Sequence, residues 1–311
     1  MKKIQHLDII ENWYQVVNWY VEPTKDPGKI YSDIRPFQGM NELQDYRDSG
    51  VYTKAGVPCQ IFLIDPEKYE GEPYLAFARA YSDLVCESVR KGNIHLATGS
   101  YCTHIPSILG GIRRALGPDT RIGVIWLDAH ADNCIPEQQI HEKLRLIGVP
   151  MAVLAGQAMP RWQKICGLVP PIQGEHILAS DIRYYDTETE QNLAQAGALV
   201  VHQEAFRNPE VWAEKIAEFA RNTDVIFLHV DADILHHDYL PAYEYDVVDG
   251  NPLETVSQNI KTVMDTGKII GASVMCIGFE NQPDRLRDVN NMNGIRLVSS
   301  VLGNWKYQPD V

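Results

Sequence analysis

Asp128, His130, Asp132, Asp231 and Asp233, five side chains able to bind a metal ion, fall into two short runs of this 311-residue chain. The first is Leu127-Asp128-Ala129-His130-Ala131-Asp132, which places two carboxylates and an imidazole at alternate positions directly after an apolar run. Alternate side chains of extended backbone point to one side, so Asp128, His130 and Asp132 are expected to face a common point. The second is His229-Val230-Asp231-Ala232-Asp233, a carboxylate pair that closes another apolar run. An aspartate pair at a strand end is by itself commonly a turn or helix cap. Four carboxylates converging on one edge are different, because they repel one another unless cations intervene. Two divalent ions would balance them. Oxygen-rich ligation with an imidazole points first to manganese, with a single ion, zinc or iron as alternatives, and away from calcium.

Such a convergence requires two strands that end side by side. From Asn93 onward, short runs rich in β-branched residues alternate with longer amphipathic stretches, the rhythm of strand–helix units around a parallel sheet. Strands are expected at Ile94–Thr98, Ile122–Leu127, His176–Asp181, Ala198–His202, Asp224–Val230 and Lys268–Ile277, and helices at Ile105–Leu116, Pro209–Arg221 and Pro252–Asp265. The run Ile122-Gly123-Val124-Ile125-Trp126-Leu127 is apolar on both faces, which requires helices on both sides of the sheet. The expectation is therefore one three-layer αβα domain over residues 1–311 with a mostly parallel central sheet. Ligands of such sheets bind beyond the carboxyl ends of the strands, where both acidic runs fall. Residues 1–90, broken by Pro23, Pro27, Gly28, Pro36 and Gly39, read as an N-terminal extension packed on the same domain. The polar stretch Asn133–Gly148 reads as a loop over the site.

Composition narrows the partners. Hydrophobic residues make up 45% and charged residues 22%, the balance of a globular protein. A net charge of −13 without clustered Lys and Arg argues against a nucleic-acid binder and suits a small cationic substrate. Six widely spaced cysteines contain no C-x-x-C pair and read as reduced thiols of a cytoplasmic protein. Asp8, Glu11 and Asn12 interrupt any secretory apolar segment after Met1-Lys2-Lys3, and no apolar run approaches the roughly 20 residues of a membrane span.

Asp128-Ala129-His130-Ala131-Asp132 and Asp231-Ala232-Asp233 resemble the two metal-binding signatures of the ureohydrolase family, which contains arginases, agmatinases and formimidoylglutamases. The resemblance runs from about Asn93 to the end. Pro241 lies where the family's D-x-D-x-x-D-P-x-x-x-P run has its last proline, although His236 and His237 replace the Asp-Pro. Phe279-Glu280-Asn281-Gln282-Pro283 is similar to the family's E-V-N-P segment, whose glutamate holds the substrate guanidinium. The resemblance implies an arginase-like fold, two manganese ions and a homo-oligomer. It further implies Asp128 and Asp231 as bridging ligands, His130 and Asp233 on one metal, and Asp132 with Cys102 on the other. Glu280 would grip substrate, and Asp181 in Ala179-Ser180-Asp181-Ile182 resembles an aspartate that contacts the α-amino group in arginases.

Three positions depart from the family pattern. Gly99-Ser100-Tyr101-Cys102-Thr103 stands where the family has G-G-D-H-S, so Cys102 takes the place of the first metal-ligand histidine. His104 is the rival, two residues on and about 200° around a helix axis. Ile147 occupies the place of a proton-shuttling histidine, with His141 nearby but out of register. Cys134 replaces an asparagine that grips the arginine carboxylate, leaving Asn133 one place early as the substrate-binding candidate.

The chemistry that follows is hydrolysis of a C–N bond in a guanidino or formimino compound, releasing urea or an amide. Asp132 would orient the attacking water and return its proton to the leaving amine. A second reading is a catalytically degenerate relative with a binding or regulatory role, for which Cys102 and Ile147 are the evidence. A third, a single-zinc deacetylase-like amidohydrolase, leaves Asp132 and Glu280 without a purpose.

Overall fold

A computed structural model describes residues 6–21, 29–37, 41–99, 101–136, 144–145, 148–184, 186–243, 249–279 and 282–306. Eleven strands run along this part of the chain. They are β1 (Leu7–Glu11), β2 (Tyr14–Val21), β3 (Ile30–Pro36), β4 (Cys59–Leu63), β5 (Ile94–Thr98), β6 (Ile122–Leu127), β7 (Leu144–Arg145), β8 (Ile177–Ser180), β9 (Leu199–Val201), β10 (Val225–Asp231) and β11 (Ile269–Met275). Eight form one sheet in the order β4-β1-β5-β11-β10-β6-β8-β9, with every neighbouring pair parallel. Strands β3, β2 and β7 form a small antiparallel sheet.

Every residue of the four central strands β5, β11, β10 and β6 is buried. Their alternate residues feed two separate apolar layers. Val124, Trp126 and Phe227 pack into one layer with helices Pro73–Arg90 and Ile105–Leu116; Ile125, Leu127 and Leu228 pack into the other with helices Pro209–Arg221, Leu253–Met264 and Asp284–Leu302. That is the three-layer αβα arrangement, and the apolar runs on both strand faces require it. Two helices start where expected, Ile105–Leu116 and Pro209–Arg221, the latter capped by Asn208, which accepts from the backbone of Glu210 and Val211, while the third starts at Leu253, one residue after the expected Pro252.

The first 90 residues contribute strands to the central sheet. Strand β1 lies between β4 and β5, and its register pairs Glu11 with Thr98. Its polar ends are buried because each has partners. Asn93 donates to Asp8, while Arg47, Tyr52 and Trp13 all donate to Glu11. No helix among the described residues is long and apolar enough to cross a membrane.

Candidate metal centre

The carboxyl ends of β5, β11, β10 and β6 surround a cavity of about 170 Å³ lined by Cys102, Asp128, His130, Asp132, Asp231, Asp233 and Cys276, with Tyr101, Tyr243 and Phe279 on its walls. Each side chain arrives by a different local device. Strand β6 stops at Leu127, and the chain then bends, with Asp132 at φ 46°. Asp128, His130 and Asp132 therefore reach the cavity through a bend and not through the extended backbone expected from their spacing. Asp231 is the last residue of β10. Its carboxylate accepts from the backbone N–H of Asp233 at 3.1 Å, capping the short 3-10 turn Ala232–Ile234 that swings Asp233 back to the site. Cys102 opens the turn before helix Ile105–Leu116, reached through Gly99 at φ 79°, where a Cβ would stand 2.7 Å from the Asn12 carbonyl oxygen.

His130 Nδ1 lies 2.7 Å from Asp233 Oδ2 and 3.6 Å from Asp128 Oδ1, and its ring stacks on Tyr184. Asp128 also accepts from Trp126 Nε1 at 2.9 Å and from the His130 backbone at 2.6 Å. Cys102 Sγ donates to Asp132 at 2.8 Å. The Tyr243 hydroxyl stands 3.3 Å from Asp231 and 3.2 Å from Asp233. Arg183 donates to the Asp233 carbonyl at 2.7 Å while its guanidinium is paired with Asp181.

Crowded acid groups away from water resist ionising. Burial, then the charge of Asp233, holds the Asp128 and Asp231 carboxyls well above the usual range. Burial raises Asp132 more than the Cys102 hydrogen bond and His130 lower it. Burial also acts on Asp233, but the hydrogen bond and charge of His130 take it below its ordinary value. Desolvation would depress His130, yet Asp128 and Asp233 lift it to about 11. A proton on His130 thus does part of what a cation would do for these carboxylates. The donor set fits divalent ions on this ground, since three buried carboxylates and the half-buried Asp132 exceed what one imidazolium can neutralise. Ligand atoms of Asp128, His130 and Asp233 lie within 4.8 Å of one another, as do those of Cys102, Asp231 and Cys276 and those of Asp128, His229 and Asp231.

The rival positions separate clearly. His104 is fully buried among the rings of Tyr74, Phe77 and Tyr81, and burial drops its pKa to about 3, whereas Cys102 lines the cavity. Asn133 is buried outside the cavity lining, its carbonyl accepting from Asn192. Asp181 is likewise buried away from the cavity, held by Arg183 and by Asn251 at 2.5 Å. Neither lines the cavity. Glu280, Ile147 and His141 lie outside the described residues.

Sequence reasoning missed Cys276, Tyr243 and Arg183. Cys276 stands four residues before Glu280 and Tyr243 two after Pro241, so proximity to motif positions was the available signal. Arg183 is expected to act on the metal ligands at one remove. Arg183→Lys keeps the charge but loses the fork that spans Asp181 and the Asp233 carbonyl, and should weaken metal affinity by about tenfold in a calorimetric titration. Unchanged affinity would show that Asp233 needs no such support.

Residues 53–301 match the profile described as "Arginase family". An arginase of Bacillus caldovelox is 27% identical over 173 residues, 53% of this chain, and the match spans 55% of that protein's length. A formimidoylglutamase of Psychrobacter cryohalolentis is 23% identical over 75% of this chain and 66% of its own. Among solved structures, the arginase of Entamoeba histolytica in complex with L-ornithine superposes with a TM-score of 0.77 at 17% identity, covering 97% of this chain and 100% of the other. At that identity the last likeness is one of fold.

Proposed function

Because the chain belongs to the arginase family, we propose that it hydrolyses a C–N bond of a small guanidino or formimino compound at a centre of two divalent ions. The observation that carries this reading is the set of four aspartates, Asp128, Asp231 and Asp233 buried and Asp132 half-buried, with His130, around one cavity at the ends of adjacent strands β6 and β10. Asp128, His130 and Asp233 would hold one ion and Asp132, Asp231 and Cys102 would face the other, with Asp128 and Asp231 close enough to be shared. When bound, the pair supplies Lewis acidity and a water acidic enough to ionise near neutral pH.

The remaining work belongs to the chain. Asp132 faces the cavity with one oxygen held by Cys102, leaving the other to orient the attacking water and carry its proton to the leaving amine. Glu280, the next residue in sequence after the cavity-lining Phe279, would supply the charge that a planar cation with several N–H donors requires. The cavity is below the roughly 300 Å³ of a drug-sized site, which suits a small substrate. Both an arginase and a formimidoylglutamase stand among the relatives, so guanidino and formimino carbon are both candidate electrophiles.

The test is metal analysis of protein purified without chelator, then assay of urea or ammonia release across a panel of guanidino and formimino compounds with added manganese, zinc or ferrous iron. Two bound ions and turnover of at least one compound are expected. Two bound ions with silence across the panel would overturn the catalytic reading.

A further inference from the structure

We propose that Cys276 is a second sulfur ligand, so that Cys102, Cys276 and Asp231 form a thiophilic metal position that takes zinc, or ferrous iron, in preference to manganese. This deepens the two-ion reading above and depends on it. The ligand atoms of the three side chains lie within 4.8 Å of one another, compatible with the separations of about 3–4 Å found around one tetrahedral ion. All three are buried, with Cys102 at 6% and Cys276 at 5% exposure, and all three line the cavity. They arrive from the ends of three adjacent strands, β5, β11 and β10.

The backbone gives an independent reason. Cys276 sits at φ 62°, a left-handed conformation that any Cβ disfavours and that glycine or asparagine would adopt more readily. A turn that only had to leave β11 would not favour cysteine there. The left-handed residue instead turns a thiol into the cavity, the pattern of strain kept where a side chain has a task.

The two ligand clusters then differ in kind. Asp128, His130 and Asp233 offer oxygen and nitrogen only, and share no residue with Cys102, Asp231 and Cys276. Thiolates favour zinc and iron, whereas manganese prefers oxygen ligands and stands lowest in the divalent affinity order. The centre is therefore expected to hold unlike metals: a thiophilic ion at the sulfur position and a harder one at the carboxylate–imidazole position.

Cobalt(II) added to the metal-free full chain under reductant reads this directly, because each cobalt–thiolate bond adds near-ultraviolet charge-transfer absorption. We expect an intensity matching two thiolates, lowered by about half in Cys276→Ser and in Cys102→Ser and abolished in the double variant. One equivalent of zinc should remove the wild-type band, and about a hundredfold excess of manganese should not. A band unchanged in Cys276→Ser, or wild-type absorption matching a single thiolate, overturns the proposal; the wild-type reading and the zinc competition decide it even if a variant folds poorly. Cobalt bound by equilibrium dialysis without any band would discard the sulfur position and leave the two-ion reading standing. No cobalt bound at all would discard both, whereas a Cys102–Cys276 disulfide that persists under reductant would discard the sulfur position alone.

Discussion

Asp128→Asn is expected to lower hydrolysis by at least about 10³-fold, or ~4 kcal/mol of transition-state stabilisation, and to deplete bound metal while the chain stays folded. The carboxylate groups with His130 and Asp233, and its ligand atoms also lie within 4.8 Å of those of His229 and Asp231. Asparagine keeps the shape but offers one neutral oxygen, which binds a dication far more weakly than a carboxylate. In the metal-free protein the same change should cost little. Burial and the Asp233 charge already favour the protonated, neutral form of Asp128, which asparagine imitates. What it loses is one acceptor, since Trp126 Nε1–H and the His130 N–H both need an oxygen, a cost of about 1 kcal/mol. Metal content by elemental analysis, turnover on the substrate the panel identifies, and melting of the chelated protein separate these effects. A variant that keeps two ions and its rate would remove Asp128 from the centre.

Such a variant can be chosen from sequence because the spacing of Asp128, His130 and Asp132 after an apolar run was legible without a structure, as were the bounds of β5, β6 and two helices. What was hidden depends on long-range packing. Strand β1 carries Asp8 and Glu11, which read as polar interruptions; they are buried because Asn93 and Arg47, far along the chain, satisfy them. That Cys102 and not His104 lines the cavity depends on Tyr74, Phe77 and Tyr81 of another helix, which enclose the imidazole. Cys276 meets Cys102 only because β11 pairs with β5, a register no local pattern states. Alternation placed the three metal candidates on one side, but the left-handed turn at Asp132 is what completes the set. Asp181 directly follows β8 and Asn133 directly follows the first acidic run, as motif positions would, yet both are buried.

The same electrostatics predict a reversal of pH dependence on adding metal. A carboxyl whose pKa rises on folding binds its proton more tightly in the native chain, so stability falls as pH climbs above the unfolded value. Asp128, Asp231 and Asp132 all shift this way from an ordinary 3.8. Asp181 joins them, raised by burial to about 6 despite Arg183, a contribution of about 3 kcal/mol. His130, lifted from 6.5 to about 11, continues the trend, because its extra stability is complete below 6.5 and drains away above. Asp233 opposes it only below 3.8, where its lowered pKa acts. Chelated protein is therefore expected to melt at progressively lower temperature from pH 5 to pH 8. Metal binding displaces these protons, so affinity rises over the same interval, and an ion at about 100 times its dissociation constant adds about 2.7 kcal/mol. Loaded protein should gain most at pH 8 and least at pH 5. Paired melting curves with chelator and with zinc plus manganese across that range check both slopes, and a chelated protein that grows more stable toward pH 8 would show that the buried carboxylates are not held protonated around this cavity.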